Sequence, residues 1–293
     1  MQFTQYTDVH AFHQAVNDIL LRHEVQNYIL LGNILIGMDS TDNTDWRDPA
    51  NFFMATVSSQ KGIVLTAIKT GDKNLVLYAT DNNNDTEAIT CLVENMAELN
   101  ETIPGVLAEK PLAEMFAKLY TARHNTASKI NMSLRLYELT KVNPAISKAA
   151  VRLAQERDMS FLPYWIEGFM NDSFDGTFSV GDDAEAYRYI IRKGQTYIME
   201  DKGIPVSQAK ITRELPNICV VAGVYTPPYF RKKGYATACT AAVTQIALNR
   251  GYKKIALTTD LSNPTSNNIY QKIGYMPVCD SLEIGFVHNE TLS

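Results

Sequence analysis

Two short stretches hold residues whose types and spacing could do chemistry. The first, Val220 to Ala236, reads VVAGVYTPPYFRKKGYA. Its apolar part, Cys219 to Tyr225, predicts a strand, and Gly223 inside it predicts a bulge or a close backbone approach. Pro227 and Pro228 have no N–H to give a sheet, so the strand must leave the sheet there. Three basic residues then precede Gly234 and a helical pattern. Backbone N–H groups at a helix N-terminus lack partners within the helix, the helix dipole reinforces them, and glycine lets the chain approach a phosphate. The spacing alone supports an anion site and a basic helix-capping turn equally. The second stretch, Thr258 to Tyr275, reads TTDLSNPTSNNIYQKIGY. It predicts a strand and then a short helix carrying Asn263, Ser266, Asn267 and Tyr270 on its first turns. Asn263 before Pro264 suits an N-cap followed by proline at the first helical position.

In this order, with a helix and a strand between them, the two stretches resemble the cofactor-binding core of the GNAT superfamily of N-acetyltransferases. Arg231-Lys232-Lys233-Gly234-Tyr235-Ala236 matches that family's Arg or Gln, two residues, Gly, one residue, Gly or Ala. Asn263 to Tyr270, closing in Ile273-Gly274-Tyr275, matches its second motif. The detailed match covers about Tyr187 to Phe286. The resemblance implies acetyl-CoA as cosubstrate, with no metal, and an amine-bearing acceptor. Backbone N–H groups from Arg231 to Ala236, with Thr237 next in the helix, would hold the pyrophosphate, and the Arg231, Lys232 and Lys233 side chains would add charge. The pantetheine arm would lie along Val221 to Thr226. A backbone N–H near Val224 or Tyr225 would stabilise the oxygen on which charge builds. Tyr270 is the candidate to protonate the leaving thiolate, and a packing aromatic is the plainer reading of it. Glu214 and Tyr225 are candidates for the base, and Asp260 for orienting the second motif. Asn263, Ser266 and Asn267 are expected to touch the cofactor, which is compatible with capping.

Two other readings compete. A catalytically inactive acyl-CoA-binding or sensing protein would keep RKKGYA but tolerate loss of Tyr270, which is present. A nucleotide or dinucleotide site would need the GK[ST] or GxGxxG spacing that the loop lacks.

The elements that must position these residues follow from pattern. At 293 residues the chain most economically makes two domains, at about 150 residues each. The first half predicts a helix over Asp8 to Arg22 and an acidic loop from Asp39 to Ala50. Strands follow at Phe52 to Ser59, Gly62 to Lys69 and Asn74 to Thr80. Then come a helix capped by Asp85, a strand PGVLAE, a helix over Pro111 to His124 and a strand over Met132 to Leu139. The second half predicts helices within Ala149 to Ser173, strands at Ala186–Gly194, Gln195–Asp201 and Ile204–Asn217, and a helix over Tyr235 to Arg250. The strand KKIALTTDL, a helix over Thr265 to Ile273 and a strand pair around Met276 to Val287 complete it. The fold class expected is α+β, a mixed and mostly antiparallel sheet flanked by helices, in two tandem GNAT-like copies. Residues 1–140 form a degenerate N-terminal copy and 141–293 the acetyltransferase domain. In the first copy the place equivalent to the basic loop reads PGVLAEKPLAEMF, Pro104 to Phe116, without the glycine cradle. Its expected role is support, dimer contact, hence a homodimer, or a wall of the acceptor pocket.

Composition excludes several classes. The chain carries 27 basic and 32 acidic residues, net −5. Residues 1–140 hold 17 acidic and 10 basic residues, leaving 15 and 17 for the rest, so an anionic ligand favours the second half. That balance is too mild for a nucleic-acid-binding face. The longest apolar run, Tyr28 to Met38, is shorter than the roughly 20 residues that span a bilayer, and the N-terminus does not read as a secretory signal. Four separated cysteines and a histidine pair, His10 and His13, without acidic or thiol partners point to no disulfide framework or metal site. The expectation is a cytoplasmic enzyme without nucleic-acid or membrane partners. The acidic loop Asp39 to Asp48 could attract a cationic amine such as a polyamine, an aminoglycoside or a lysine side chain, or could simply be solvated.

Overall fold

The structure is a computed structural model in which residues 1–39, 48–80, 86–146, 149–174, 179, 181 and 184–287 are described. The acidic-loop reading at 40–47 and the Asp85 cap lie outside them. Packing divides the chain into two units: Met1–Arg135 with Cys279–Ser293, and Leu136–Val278.

In the first unit, strands β1 (Gln2–Tyr6), β2 (Phe52–Ser59), β3 (Gly62–Thr70) and β4 (Leu75–Ala79) pair as an antiparallel meander. A parallel partner for β4 needs a crossover. That crossover is helix α3 (Thr86–Glu98), which returns the chain to β5 (Gly105–Glu109), with Leu75 beside Val106 and Val76 beside Leu107. Helix α3 buries Ile89, Leu92, Val93 and Met96, the spacing read from sequence, against α4 (Lys110–His124) and the sheet. Two further elements lead into this meander. Helix α1 (Val9–Leu21) is capped by Asp8, whose carboxylate accepts from the N–H groups of His10 and Ala11. Helix α2 (Tyr28–Met38) is the apolar run that falls short of a membrane span; it is apolar on all sides and buries Leu30, Leu31 and Ile34.

The second unit is ordered around the meander β7 (Val151–Leu153), β8 (Thr196–Asp201), β9 (Ile204–Thr212) and β10 (Ile218–Tyr225), all antiparallel. The β8–β9 hairpin turns on Lys202 and Gly203, both at positive φ (51° and 80°), as a two-residue turn of this hand requires. Helix α7 (Tyr235–Asn249) crosses over to β11 (Lys254–Asp260), parallel to β10, and α8 (Pro264–Ile273) follows. Gly274, at φ 115°, ends α8.

Three expectations are corrected. Val151 and Leu153, read as helical, form a strand on β8, and the helix of that region, α5, is confined to Leu162–Ser173 after a 3-10 turn at Glu156–Ser160. The run Ala186–Gly194, read as a strand from its alternation, lies in helix α6 (Ala184–Arg192). No α6 residue is buried, so there is no sheet face for alternation to serve, while Glu185 accepts from Arg188 and Arg192 one and two turns on. The last segment is one strand, β12 (Met276–Val287), and not a pair.

Both units are α+β, with mixed and mostly antiparallel strands flanked by helices. Division falls inside strands and not at a loop near residue 140: β6 (Ala127–Leu139) ends in the second unit and β12 ends in the first. There Ser281 to Gly285 pair antiparallel with Glu109 to Gly105.

Candidate active site

The feature read from VVAGVYTPP is built as a strand that parts from its neighbour. β10 and β11 pair at Ile218–Lys254, Cys219–Ile255 and Val220–Ala256, yet β10 continues to Tyr225 and β11 to Asp260. On its other side β10 stays paired to β9 from Val220–Thr212 to Tyr225–Gln208, with a bulge between Ala222 and Tyr225. Gly223 sits in that bulge at φ 59°. A bulge leaves its extra residue out of the ladder, and Gly223 and Val224 have no register partner on β9, beyond the last β10–β11 pair at Val220.

The loop that follows brings the chain to a helix with no side-chain cap. After a 3-10 turn at Pro228–Phe230, Lys232 and Gly234 both adopt positive φ (63° and 84°). The first intrahelical bond of α7 is Ala238 N–H to the Gly234 carbonyl, 3.0 Å. The N–H groups of Tyr235, Ala236 and Thr237 come before it and, with glycine as N-cap, receive no side-chain partner. A Cβ at Gly234 would meet nothing within 4 Å.

Most of the basic side chains are occupied elsewhere. Arg231 donates through Nε to the Thr226 carbonyl (2.9 Å) and through Nη2 to Asp172 on α5 (2.5 Å), and its guanidinium lies 5.8 Å from the Tyr225 ring. It pins the loop to α5 and does not stand free as a counter-charge. Lys233 Nζ sits 4.9 Å from the centre of the Tyr229 ring, while Lys232 is exposed. Tyr235 donates to Asp201 at the β8–β9 turn (2.5 Å). The hydroxyls of Ser207 and Thr226 share a buried hydrogen bond of 2.9 Å, and Ser207 also lies 3.1 Å from the Tyr225 carbonyl. Anion-binding capacity in this loop is therefore mainly backbone.

The second motif is a capping network. Asn263 accepts from Ser266 N–H (3.0 Å); Asn267 donates to the Asp260 and Asn263 carbonyls (2.9 and 2.8 Å) and accepts from Tyr137 (2.8 Å). Asp260 accepts from Ser262, so its expected role in ordering the motif agrees with its contacts. Tyr270 lies in the cluster formed by α7, α8 and the sheet, with Tyr137 and Tyr275 rings 6.4 and 6.1 Å away, and Val224 packs on that same cluster. Burial pushes its phenol up to about 12, partly opposed by the Ser266 hydroxyl.

The two base candidates fare differently from Tyr270. Tyr225 faces the opposite side of the sheet, toward α5, where Trp165 is 6.2 Å away. Burial raises its phenol further above the ordinary value, with Asp172 adding to the shift, so it stays protonated and is no base. Glu214 pairs with Arg250 (3.2 Å), just past the C-terminus of α7. The Gly234 loop is at the other end of that 15-residue helix, about 22 Å away at about 1.5 Å per residue. Glu214 is therefore not brought to the site.

Residues that the sequence reading missed include Asp172, Ser207 and Gly168. No spacing rule marks them, because each acts across elements. Gln208 and Lys210 did carry a signal: two polar side chains at i and i+2 on one face of a strand that is otherwise largely buried.

This arrangement puts the second unit among α+β proteins that present a bulged, splayed strand beside an open helix N-terminus. Residues 162–275, within the second unit, match the model of the Acetyltransferase (GNAT) family. The whole chain is similar in fold to several solved structures. One is a Drosophila protein (12% identity, TM-score 0.66, covering 98% of this chain and 99% of that one). Another is a GCN5-related N-acetyltransferase from Sphaerobacter thermophilus (14%, 0.62, 97% and 95%). A third is a GNAT-family acetyltransferase from Colwellia psychrerythraea (12%, 0.56, 98% and 99%). At these identities the likeness is one of fold. No curated protein matches the sequence. Among the described residues no helix is long and apolar enough to cross a membrane, and no group of three potential metal ligands occurs.

Proposed function

We propose that the protein is an N-acetyltransferase that moves the acetyl group of acetyl-CoA to an amine by direct attack. The observation that carries this reading is the parting of β10 from β11 after Val220, upstream of an α7 N-terminus with no side-chain cap and no atom within 4 Å of a Cβ added at Gly234. The N–H groups of Gly234, Tyr235, Ala236 and Thr237 bind the pyrophosphate, with Lys232 as the exposed cation nearby. The pantetheine arm runs along the β10 edge from Val221 to Val224, where β11 no longer pairs.

In the reaction the acceptor arrives as a free amine, having lost its proton to water. Its nitrogen attacks the thioester carbonyl carbon, charge grows on the carbonyl oxygen, and the Val224 N–H, released from the ladder by the bulge, stabilises it. The carbon–sulfur bond then breaks. Tyr270, held protonated by burial, donates to the departing thiolate, and the surplus proton on the new amide nitrogen passes through water back to the Tyr270 oxygen.

We also propose that residues 1–140 derive from a GNAT-like copy without a phosphate cradle. The segment equivalent to β10–α7–β11 is β4–α3–β5, whose two strands pair at only two positions before parting. On this proposed equivalence the sequence before α3 reads DNNND, acidic where RKKG before α7 is basic. Such a copy serves as a supporting element in a cytoplasmic protein, with self-association as a homodimer one role open to it.

Calorimetric titration with acetyl-CoA tests the reading, using the wild type and Gly234→Asp. Saturable binding that the folded variant loses supports it; a folded wild type that binds no acetyl-CoA overturns it.

A further inference from the structure

Lys210 is a partly buried lysine on the α5 side of the sheet, without a counter-ion among the described residues. It stands opposite Ala222 on β10 and opposite Thr196 on β8, and Gln208 is two residues away on the same face. Its stem lies against the bulge: a Cβ at Gly223 would sit 3.2 Å from Lys210 Cδ and 3.4 Å from both Cγ and Cε. Among the described residues it makes no ion pair, and burial alone lowers its ammonium below the ordinary lysine value. Two neighbours are also incomplete. Gln208 is 1% exposed; its amide nitrogen reaches the Gly223 carbonyl at 3.5 Å, and its Oε1 has no hydrogen-bond partner among the described residues. Thr196, equally buried, has an unpartnered Oγ1.

A burial cost of this kind persists where something else recovers it. Acidic side chains do lie on this side, Glu167 and Asp172 on α5, but Asp172 is held by Arg231 and neither pairs with Lys210. Lys210 lies beside Ala222 to Val224, which are partly exposed and are the backbone assigned above to the thioester. A ligand group that reaches it is therefore adjacent to the reacting carbon.

We infer that Lys210 recognises a carboxylate on the acceptor, so that the substrate class is an amine that also bears a carboxylate, such as an amino acid. Thr196 Oγ–H supplies a second donor to that carboxylate. Gln208 Oε1 accepts an N–H from the incoming amine. This rests on the acetyl-CoA reading of the β10 edge and names the acceptor of that same site.

The test uses matched pairs that differ only in the carboxylate: glycine and methylamine, phenylalanine and phenethylamine, lysine and cadaverine. CoA release with acetyl-CoA gives kcat and KM for wild type, Lys210→Met and Lys210→Gln; calorimetry with the CoA complex gives affinity without turnover. The expected result is a wild-type preference of tenfold or more for the carboxylated member of at least one pair. Lys210→Met should abolish it through KM, leaving the decarboxylated member and acetyl-CoA binding unchanged. Without ligand, Lys210→Met should melt no lower than wild type, because an uncompensated ammonium has been removed. Lys210→Gln serves if the Met variant does not fold. The inference is overturned if the wild type handles both members of every pair equally, if it takes neither, or if the preference survives both substitutions. Acetylation of Lys210 itself, seen by intact mass, would also overturn it by making Lys210 an acceptor. Failure to bind acetyl-CoA at all would instead remove the underlying reading.

Discussion

Gly168→Ala sets two physical effects against each other in the helix that carries the α5 face of the site. Gly168 lies inside α5, where alanine is preferred over glycine by about 1 kcal/mol. An added Cβ, however, would stand 2.2 Å from the Tyr225 hydroxyl oxygen, 2.7 Å from Cζ and 3.2 Å from Cε2. Ordinary contact begins near 3.5 Å, so the ring must move by about 1.3 Å. It has little freedom to do so, with Trp165 on one side and the Arg231 guanidinium, itself fixed on Asp172 and the Thr226 carbonyl, on another. Overpacking of this size costs about 1–3 kcal/mol. Net destabilisation of about 1 kcal/mol follows, lowering Tm by about 2–4 °C. Thermal melts of wild type, Gly168→Ala, Tyr225→Leu and the double variant measure it. In the Tyr225→Leu background the phenol is gone and the same alanine should stabilise by about its propensity gain, a coupling of about 2 kcal/mol. A Gly168→Ala protein that melts above wild type, or shows no coupling to Tyr225, would refute the packing account.

Other substitutions probe other contacts. Gly223→Ala should cost about 1–3 kcal/mol, since it forces a side chain to φ 59° and against the Lys210 stem; denaturant melts measure it. Tyr270→Phe should leave acetyl-CoA affinity unchanged while lowering kcat by about 100-fold or more. Because burial pushes that phenol up to about 12, the pH–rate profile of the wild type should show no falling limb from it below about pH 11. Asp158, 1% exposed, accepts from Arg152 at 2.7 and 2.8 Å and from the Gln155 N–H. Burial works to raise its carboxyl, but these bonds outweigh it and hold it below the ordinary aspartate value of 3.8. A depressed carboxyl contributes stability that is full above the unfolded value and lost as pH falls through the folded one. Stability should therefore drop more steeply below pH 3.8 in the wild type than in Asp158→Asn.

The legibility of the sequence followed the range of the interaction. Helical period gave α3, which buries the apolar positions expected of it, while Phe52–Ser59, an observed strand to the residue and buried on both faces over Phe52 to Val57, was legible as an apolar run ended by a turn signal. The strand-to-helix loop was legible because proline and glycine act through their own backbones, so Gly223 and Gly234 were readable as a bulge and a helix start. Period misled at α6, an exposed helix whose Tyr-Arg-Tyr-Ile alternation has no sheet to serve, and was silent at α2, apolar on every side. For the site, side-chain roles were harder than backbone ones. Arg231 matched its motif, but that it is held by Asp172, 59 residues earlier, is a tertiary fact. Glu214 was near in sequence to the core strand yet is carried to its opposite end by strand direction.

The strands that cross between units bear on whether the two halves are independent copies. Cutting the chain after residue 140 removes β12 from the first half, and with it Leu282, Ile284 and Phe286, all at or below 8% exposure in the first unit's core. At about 1.5–3 kcal/mol per fully buried side chain the loss is about 5–9 kcal/mol, a large part of the about 5–15 kcal/mol that stabilises an ordinary domain. It also bares the β5 edge along Gly105 to Glu109, to which β12 is paired, and an unpaired edge invites association. The fragment 1–140 should thus be unfolded or aggregated, while 1–135 joined through a short linker to 279–293 should recover cooperative melting. Circular dichroism and size-exclusion chromatography of both fragments decide it. A monomeric, cooperatively melting 1–140 fragment would mean that β12 is dispensable to the first half and would refute the burial argument.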